Sequence, residues 1–131
     1  MTTVLIADHQ PHIVLTLRHL VQSTGRAVAI TAGNGSQAVQ LALSHRPALV
    51  MMGIELPELD GYTACRVIRD GWGDHPGQIW FITARDHAAD MDQAQQVGAN
   101  RVIHKPFDPD QLVTDVGAVL DQFVMRLPLS A

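Results

Sequence analysis

Four apolar residues in succession, Leu49, Val50, Met51 and Met52, run without alternation into Gly53. A strand with one wet face alternates apolar and polar residues. One that is apolar at every position is buried on both faces, as in a parallel sheet covered by helices. Residues 78–82, QIWFI, repeat the pattern. Two such strands commit the chain to a sheet with a helical layer on each side. After Gly53 the chain turns through Ile54, Glu55, Leu56 and Pro57 and restarts at Asp60-Gly61. In an open α/β sheet, chemistry gathers at the carboxyl ends of the strands. The stretch 49–61 therefore lies at the centre of any site, yet its strand-end residue, Gly53, has no side chain.

The rest of the chain supplies the other strands and the helices. Residues 4–7 form a short apolar strand that ends at Asp8-His9-Gln10-Pro11. Residues 12–24 carry Ile13, Leu17, Leu20 and Val21 at helical spacing, with Gly25 as the stop. Residues 27–31 are a second strand. Asn34-Gly35-Ser36 offers turn and cap chemistry for a helix over 37–45, closed by Pro47. The third strand is 48–52, followed by a short helix over 62–70 and a breaker-rich loop, GWGDHPG, over 71–77. The fourth strand is followed by a helix over 86–97 and a short strand over 101–103. The last helix opens on Asp108 as N-cap, with Pro109 at its first position and Asp110 at its positive end. Leu112, Val113, Val116, Val119, Leu120 and Phe123 form its apolar stripe.

Strands and helices alternate five times along the chain. This predicts one α/β domain over 1–131, with a core over about 3–124 and a short tail over 125–131 that breaks at Pro128. The expected architecture is a flavodoxin-like (βα)5 three-layer sandwich, a doubly wound parallel sheet in strand order 2-1-3-4-5. That order brings together the carboxyl ends of strands 1, 3, 4 and 5. They deliver Asp8 and His9, Gly53, Thr83 and Ala84, and Lys105 to one place.

Composition narrows the function. Thirteen acidic residues against 9 basic ones, a net charge of −4, argue against a nucleic-acid face. A single cysteine, Cys65, excludes an internal disulfide and suits a reducing compartment. The N-terminus has no basic region leading into a long apolar core, and no apolar run is long enough to cross a membrane, so the expected address is the cytoplasm. Neither G-x-x-x-x-G-K-[ST] nor G-x-G-x-x-G occurs, which leaves a nucleotide binder or another flavodoxin-like small-molecule binder without a phosphate-cradling loop.

Six pieces, in order and at consistent spacing, carry a resemblance. They are LIADHQP, AGNGSQAV, PALVMMGIELPELDGY, FITA, VGANRVIHKPF and the amphipathic last helix. Over residues 4–123 the chain resembles a response-regulator receiver domain, the phospho-accepting half of two-component signalling. The resemblance implies a site in which two acids ending strand 1 help hold magnesium and an aspartate ending strand 3 takes the phosphoryl group. A Thr or Ser ending strand 4 reports the phosphate, and a Lys precedes Pro after strand 5. Magnesium needs hard oxygen ligands, and it offsets phosphoryl charge together with the Lys.

Mapped onto this chain, Asp8 matches the first acid, Thr83 the hydroxyl residue and Lys105 the lysine. His9 stands in place of the second acid, Gly53 in place of the acceptor, and Val102 where an aromatic switch residue is usual. The expectation is a degenerate phospho-acceptor pocket at Asp8, His9, Gly53, Thr83 and Lys105, with no catalytic role, no cofactor and little or no magnesium binding. Asp8 and Glu55 are the residual metal candidates, because imidazole suits softer metals. Lys105, costly to bury unpaired, is predicted to point at Asp8 or at Glu55.

Other residues have plainer expectations. His9 is read as a solvated loop residue, and His104 as turned away from the pocket. Trp80 and Phe81 are read as core and Cys65 as a small buried hydrophobe. Asp86, Asp90 and Asp92 are read as solvated helix surface. Trp72 either anchors a partner or folds back onto the domain. The functional expectation is a non-enzymatic binding module that acts by protein contact. Its expected partners are a histidine kinase, another response regulator, or its own copy through helix 86–97, strand 101–103 and the last helix, extended by Leu127 and Leu129. The alternative is a conventional regulator that autophosphorylates with magnesium on Glu55 or Asp8.

Overall fold

The computed structural model of the chain describes residues 2–85 and 88–127. In chain order the elements are β1 (Thr2–Ala7), α1 (Pro11–Ser23), β2 (Ala27–Ala32), α2 (Gly35–His45) and β3 (Leu49–Gly53). They continue with α3 (Gly61–Trp72), β4 (Gln78–Thr83), α4 (Ala88–Gln96), β5 (Arg101–His104) and α5 (Pro109–Arg126). The five strands pair in parallel in the order β2-β1-β3-β4-β5, as the sequence predicts.

The unbroken apolar runs serve two cores, one on each face of the sheet. Leu5, Val50, Met52, Ile79 and Phe81 face α2, α3 and α4. Val4, Ile6, Leu49, Met51, Trp80 and Ile82 face α1 and α5. Every residue of β3 is buried. Alternation along the strand assigns each side chain to a core, and burial on both sides removes the need for polar residues.

Two caps fall where the sequence puts them: Asn34 accepts from the Gln37 amide and Asp108 from the Asp110 and Gln111 amides. A third, Asp60, which the sequence reading did not assign as a cap, accepts from the Thr63 amide. Two boundaries differ in kind. The helix expected over 62–70 runs on to Trp72, so Gly71 and Trp72 are its last turn rather than loop. A Cβ on Gly71 would sit 2.5 Å from Leu43 Cδ2, so the missing side chain lets α2 and α3 approach closely. Trp72 is buried and its indole N–H donates to Ala42 O at 2.9 Å, which resolves its two readings in favour of packing. Burial of one large aromatic outweighs the helix penalty of one glycine. At the other boundary, α5 continues through Met125 to Arg126, two residues into the expected tail. Asp86, Pro128 and Leu129 lie outside the described residues.

Cys65 is buried, and its thiol is pushed up to about 11 by desolvation. At the opposite end of the sheet from the β3 carboxyl terminus, His75 accepts edge-on contacts with Trp72 and Phe123 and meets Pro47 O through Nε2 at 2.8 Å. Burial holds its pKa below the ordinary value, and the nearby Arg46 and Arg69 add to this against the upward pull of the Pro47 carbonyl. As pH falls through about 6.5, the unfolded chain takes up a proton that the folded one resists, so stability present above that pH is lost below it. Urea melts between pH 7 and pH 5 should therefore show falling stability, with a flatter slope in His75→Gln.

Candidate functional site

The carboxyl ends of β1, β3, β4 and β5 surround one cleft, lined by Asp8, His9, Gly53, Glu55, Thr83 and Lys105 among others. Asp8 and Thr83 are buried, and the Lys105 side chain is 17% exposed. All the residues that the sequence reading assigned to the pocket, Ala84 included, line this cleft, except the switch position Val102. Val102 lies on β5 and packs against the core beneath α2, α3 and α4. His104 is exposed and does not line the cleft.

Lys105 reaches both ways across the opening. Its Nζ donates to Gln10 Oε1 at 2.9 Å and lies 3.6 Å from Asp8 Oδ2. The other Asp8 oxygen, Oδ1, accepts the Gln10 amide at 2.8 Å. Asp8 thus has one oxygen on a backbone donor and the other beside an ammonium. Of the two partners expected for Lys105, Asp8 is present and Glu55 is not. Gln10 was missed, although it sits two residues beyond Asp8, within reach of any group that Asp8 attracts.

Glu55 is drawn off by a residue absent from the sequence reading. Arg85 donates to Glu55 Oε1 and to Asp90 Oδ1, each at 3.0 Å. The same Asp90 oxygen accepts the Tyr62 hydroxyl at 2.6 Å. Desolvation, then the Asp90 carboxylate, raises the Tyr62 pKa. Asp90 is 4% exposed, which corrects its reading as solvated surface. An acid in the first turn of α4 is turned inward, where Oδ1 takes both the Tyr62 hydroxyl and Arg85 while the buried Oδ2 has no hydrogen-bond partner among the described residues. The network ties the loop after β3 to the loop after β4 and to α3. The clue in sequence was the spacing of Arg85 two residues after Thr83, whose hydroxyl accepts the Arg85 amide at 3.0 Å.

Tyr62→Phe removes the hydroxyl and keeps the edge-on packing against Phe81, whose ring centre lies 5.3 Å away. It should cost about 1–2 kcal/mol in a urea melt, because Asp90 is left with Arg85 alone.

Gly53 itself closes the β3–β4 ladder opposite Ile82 in ordinary strand geometry. A Cβ placed there would lie 3.2 Å from Asp8 Oδ2 and 3.6 Å from Leu56 Cδ2. The side chain of His9 is 49% exposed, with Nδ1 3.8 Å from Asp8 Oδ1. Among the described residues, no group of three His, Cys, Asp or Glu side chains is arranged to hold a metal ion, and no helix is long and apolar enough to cross a membrane.

Comparison with known proteins gives a consistent picture. The profile of the response regulator receiver domain matches residues 4–117. The alkaline phosphatase synthesis transcriptional regulatory protein PhoP of Bacillus subtilis is 31% identical over 127 residues, which is 97% of this chain and 52% of that protein. The chemotaxis protein CheY of the same organism is 31% identical over 118 residues, covering 90% of this chain and 97% of that one. The chain thus spans about half the length of several curated relatives it matches, and nearly all of this CheY. A two-component response regulator from Clostridium difficile superposes with a TM-score of 0.85 at 24% identity, over 97% of this chain and 100% of that one.

Proposed function

The chain belongs to the response-regulator receiver family, and from that premise we propose that it is a variant receiver that acts by protein contact without aspartyl phosphorylation. The observation that carries this reading is Gly53 at the end of β3, where the family's acceptor aspartate is expected. A glycine has no oxygen on which to form an acyl phosphate. The lysine that would neutralise the phosphoryl group is engaged by Gln10 and Asp8 instead.

The remaining donors do not fit magnesium well. Asp8 is committed to the Gln10 amide and Lys105, Glu55 to Arg85, and His9 offers nitrogen where a hard oxygen is needed. The proposed module is not an enzyme, works in the cytoplasm, and contacts a histidine kinase or another response regulator. Its resting state is held by internal ion pairs.

The test is incubation with a small phosphodonor and magnesium, read by intact mass. The expected result is no adduct, with or without the metal. A stoichiometric adduct mapped to Glu55 or Asp8 would overturn the reading in favour of phosphorylation on a neighbouring carboxylate.

A further inference from the structure

Between Asp8 and Glu55 the chain has no acidic residue. The same stretch carries Arg18, Arg26 and Arg46, although the whole chain has a net charge of −4. The fold gathers this stretch at one side of the molecule. α1, β2 and α2 come from it in succession, and β2 is a terminal strand of the sheet, paired with β1 alone. The strand at this edge and the helices on its two faces therefore contain no acid, and such a charge asymmetry within one domain marks a surface for an acidic partner.

β2 reads AVAITA, with no charge and no proline. Edge strands in natural proteins are usually blunted by one or the other, because their outward N–H and C=O groups are open to pairing. Apolar surface flanks this edge on both faces. On the α2 face Val28 is 47% exposed and Ile30 is only partly buried. On the α1 face a groove lies between helix and strand, walled by Val14, Leu15, Arg18, Thr31 and Ala32. Leu15 is 68% exposed there. Asp8 closes the inner end of the groove, but its charge is met by Lys105.

An extended segment laid along β2 would answer these features together. Its backbone would take the outward N–H and C=O groups, and its side chains would alternate between the two faces. One phase would cover Val28 and Ile30, and the other would lie over the groove at Leu15 and Arg18. A helix has no such period and would leave the backbone groups of the strand unpaired. Charge selects the occupant. Arg26 is spent on Asp121, and Arg46 donates to the Trp72 carbonyl. Arg18 has no ion-pair partner among the described residues. A second copy of this chain would bring two acid-free edges together and leave Arg18 unanswered, whereas an acidic segment would pair it. We propose that β2 is a docking edge for an extended partner segment with apolar residues at every second position and Asp or Glu between them. The proposal rests on the contact-based function above and specifies the partner's chemistry.

The test uses a displayed random library of peptides about twelve residues long, enough to run past both ends of the strand. The library is depleted on Val28→Lys and then selected on the intact chain. A parallel selection uses Arg18→Glu, a change on the surface of α1 that carries the test should Val28→Lys fail to fold. The proposal expects enriched sequences with period-two apolar residues and interspersed Asp or Glu. These should bind the wild type roughly tenfold more tightly than Arg18→Glu and slow amide exchange within Ala27–Ala32. Selection on Arg18→Glu should return Lys or Arg in place of the acids.

No enrichment, apolar residues at helical spacing, acidic runs without an apolar period, or the same acidic sequences from Arg18→Glu overturns it. So does a dimer of the chain alone that Val28→Lys dissociates in sedimentation. A phospho-adduct overturns the contact-based function, whereas a failed selection overturns only this docking edge.

Discussion

Gly53→Asp alone is expected to yield no magnesium-dependent phospho-adduct, and Gly53→Asp combined with His9→Asp is expected to yield one. The backbone at Gly53 is ordinary strand, so an aspartate requires no change of conformation. Its Cβ lies 3.2 Å from Asp8 Oδ2, a contact that a shift of a few tenths of an ångström relieves. The obstacle is electrostatic. Two carboxylates then share one small site whose ammonium, Lys105, is already beside Asp8. Without a divalent cation the single variant should lose about 1–2 kcal/mol of stability to like-charge repulsion. His9 does not relieve this with magnesium, because imidazole is a poor ligand for a hard cation. A second carboxylate at position 9 completes an oxygen-rich set. Magnesium should then stabilise the double variant in thermal melts and permit transfer from a small phosphodonor, measured by intact mass. Full recovery in the single variant would show that His9 matters less than proposed.

Arg69→Ala should be the most destabilising substitution of a charged residue here, by about 3 kcal/mol, lowering the melting temperature by roughly 10 °C. Arg69 lies on α3, and its guanidinium donates in three directions. Nε bonds Gly98 O and Nη1 bonds Gly77 O, each at 2.8 Å, and Nη2 bonds Asn100 Oδ1. Asn100 Oδ1 in turn accepts the Ile79 amide at 2.9 Å. One side chain thus fastens the start of β4 and the turn before β5 to α3. It also lies over Trp72, 5.4 Å from the ring centre. Desolvation lowers its pKa, yet it stays charged, and those neutral acceptors offset the cost of its partial burial. Arg69→Lys keeps the charge but not the planar fork, so it should recover less than half of the loss. A change below about 0.5 kcal/mol on Arg69→Ala would show that the three acceptors find water at no cost.

The sheet and the residues around its cleft were readable in advance because both are local properties of the chain. An apolar run such as 49–52 states its own burial, and the residue after each run is delivered to the same edge whatever its identity. Asn34 and Asp108 declare helix starts because a cap acts within three residues. Long side chains from different loops were not readable in this way. Arg85 bridges Glu55 and Asp90, which are 30 residues before it and 5 after it. Nothing in the spacing of α4 shows that Asp90 turns inward while Asp92 stays exposed.

The sequence by itself determined the order of strands, the two-sided core, and the cluster of Asp8, Thr83 and Lys105 about a strand-end residue, Gly53, that has no side chain. These follow from residue type and period along one stretch of chain. Only the tertiary structure decided that Lys105 meets Gln10 as well as Asp8, that Glu55 is taken by Arg85, and that Trp72 closes a helix. It also decided that Leu15 and Arg18 flank the open edge of β2. Each of these depends on where a flexible side chain, or the edge of a strand, lies relative to elements distant in sequence, and only the folded chain sets those distances.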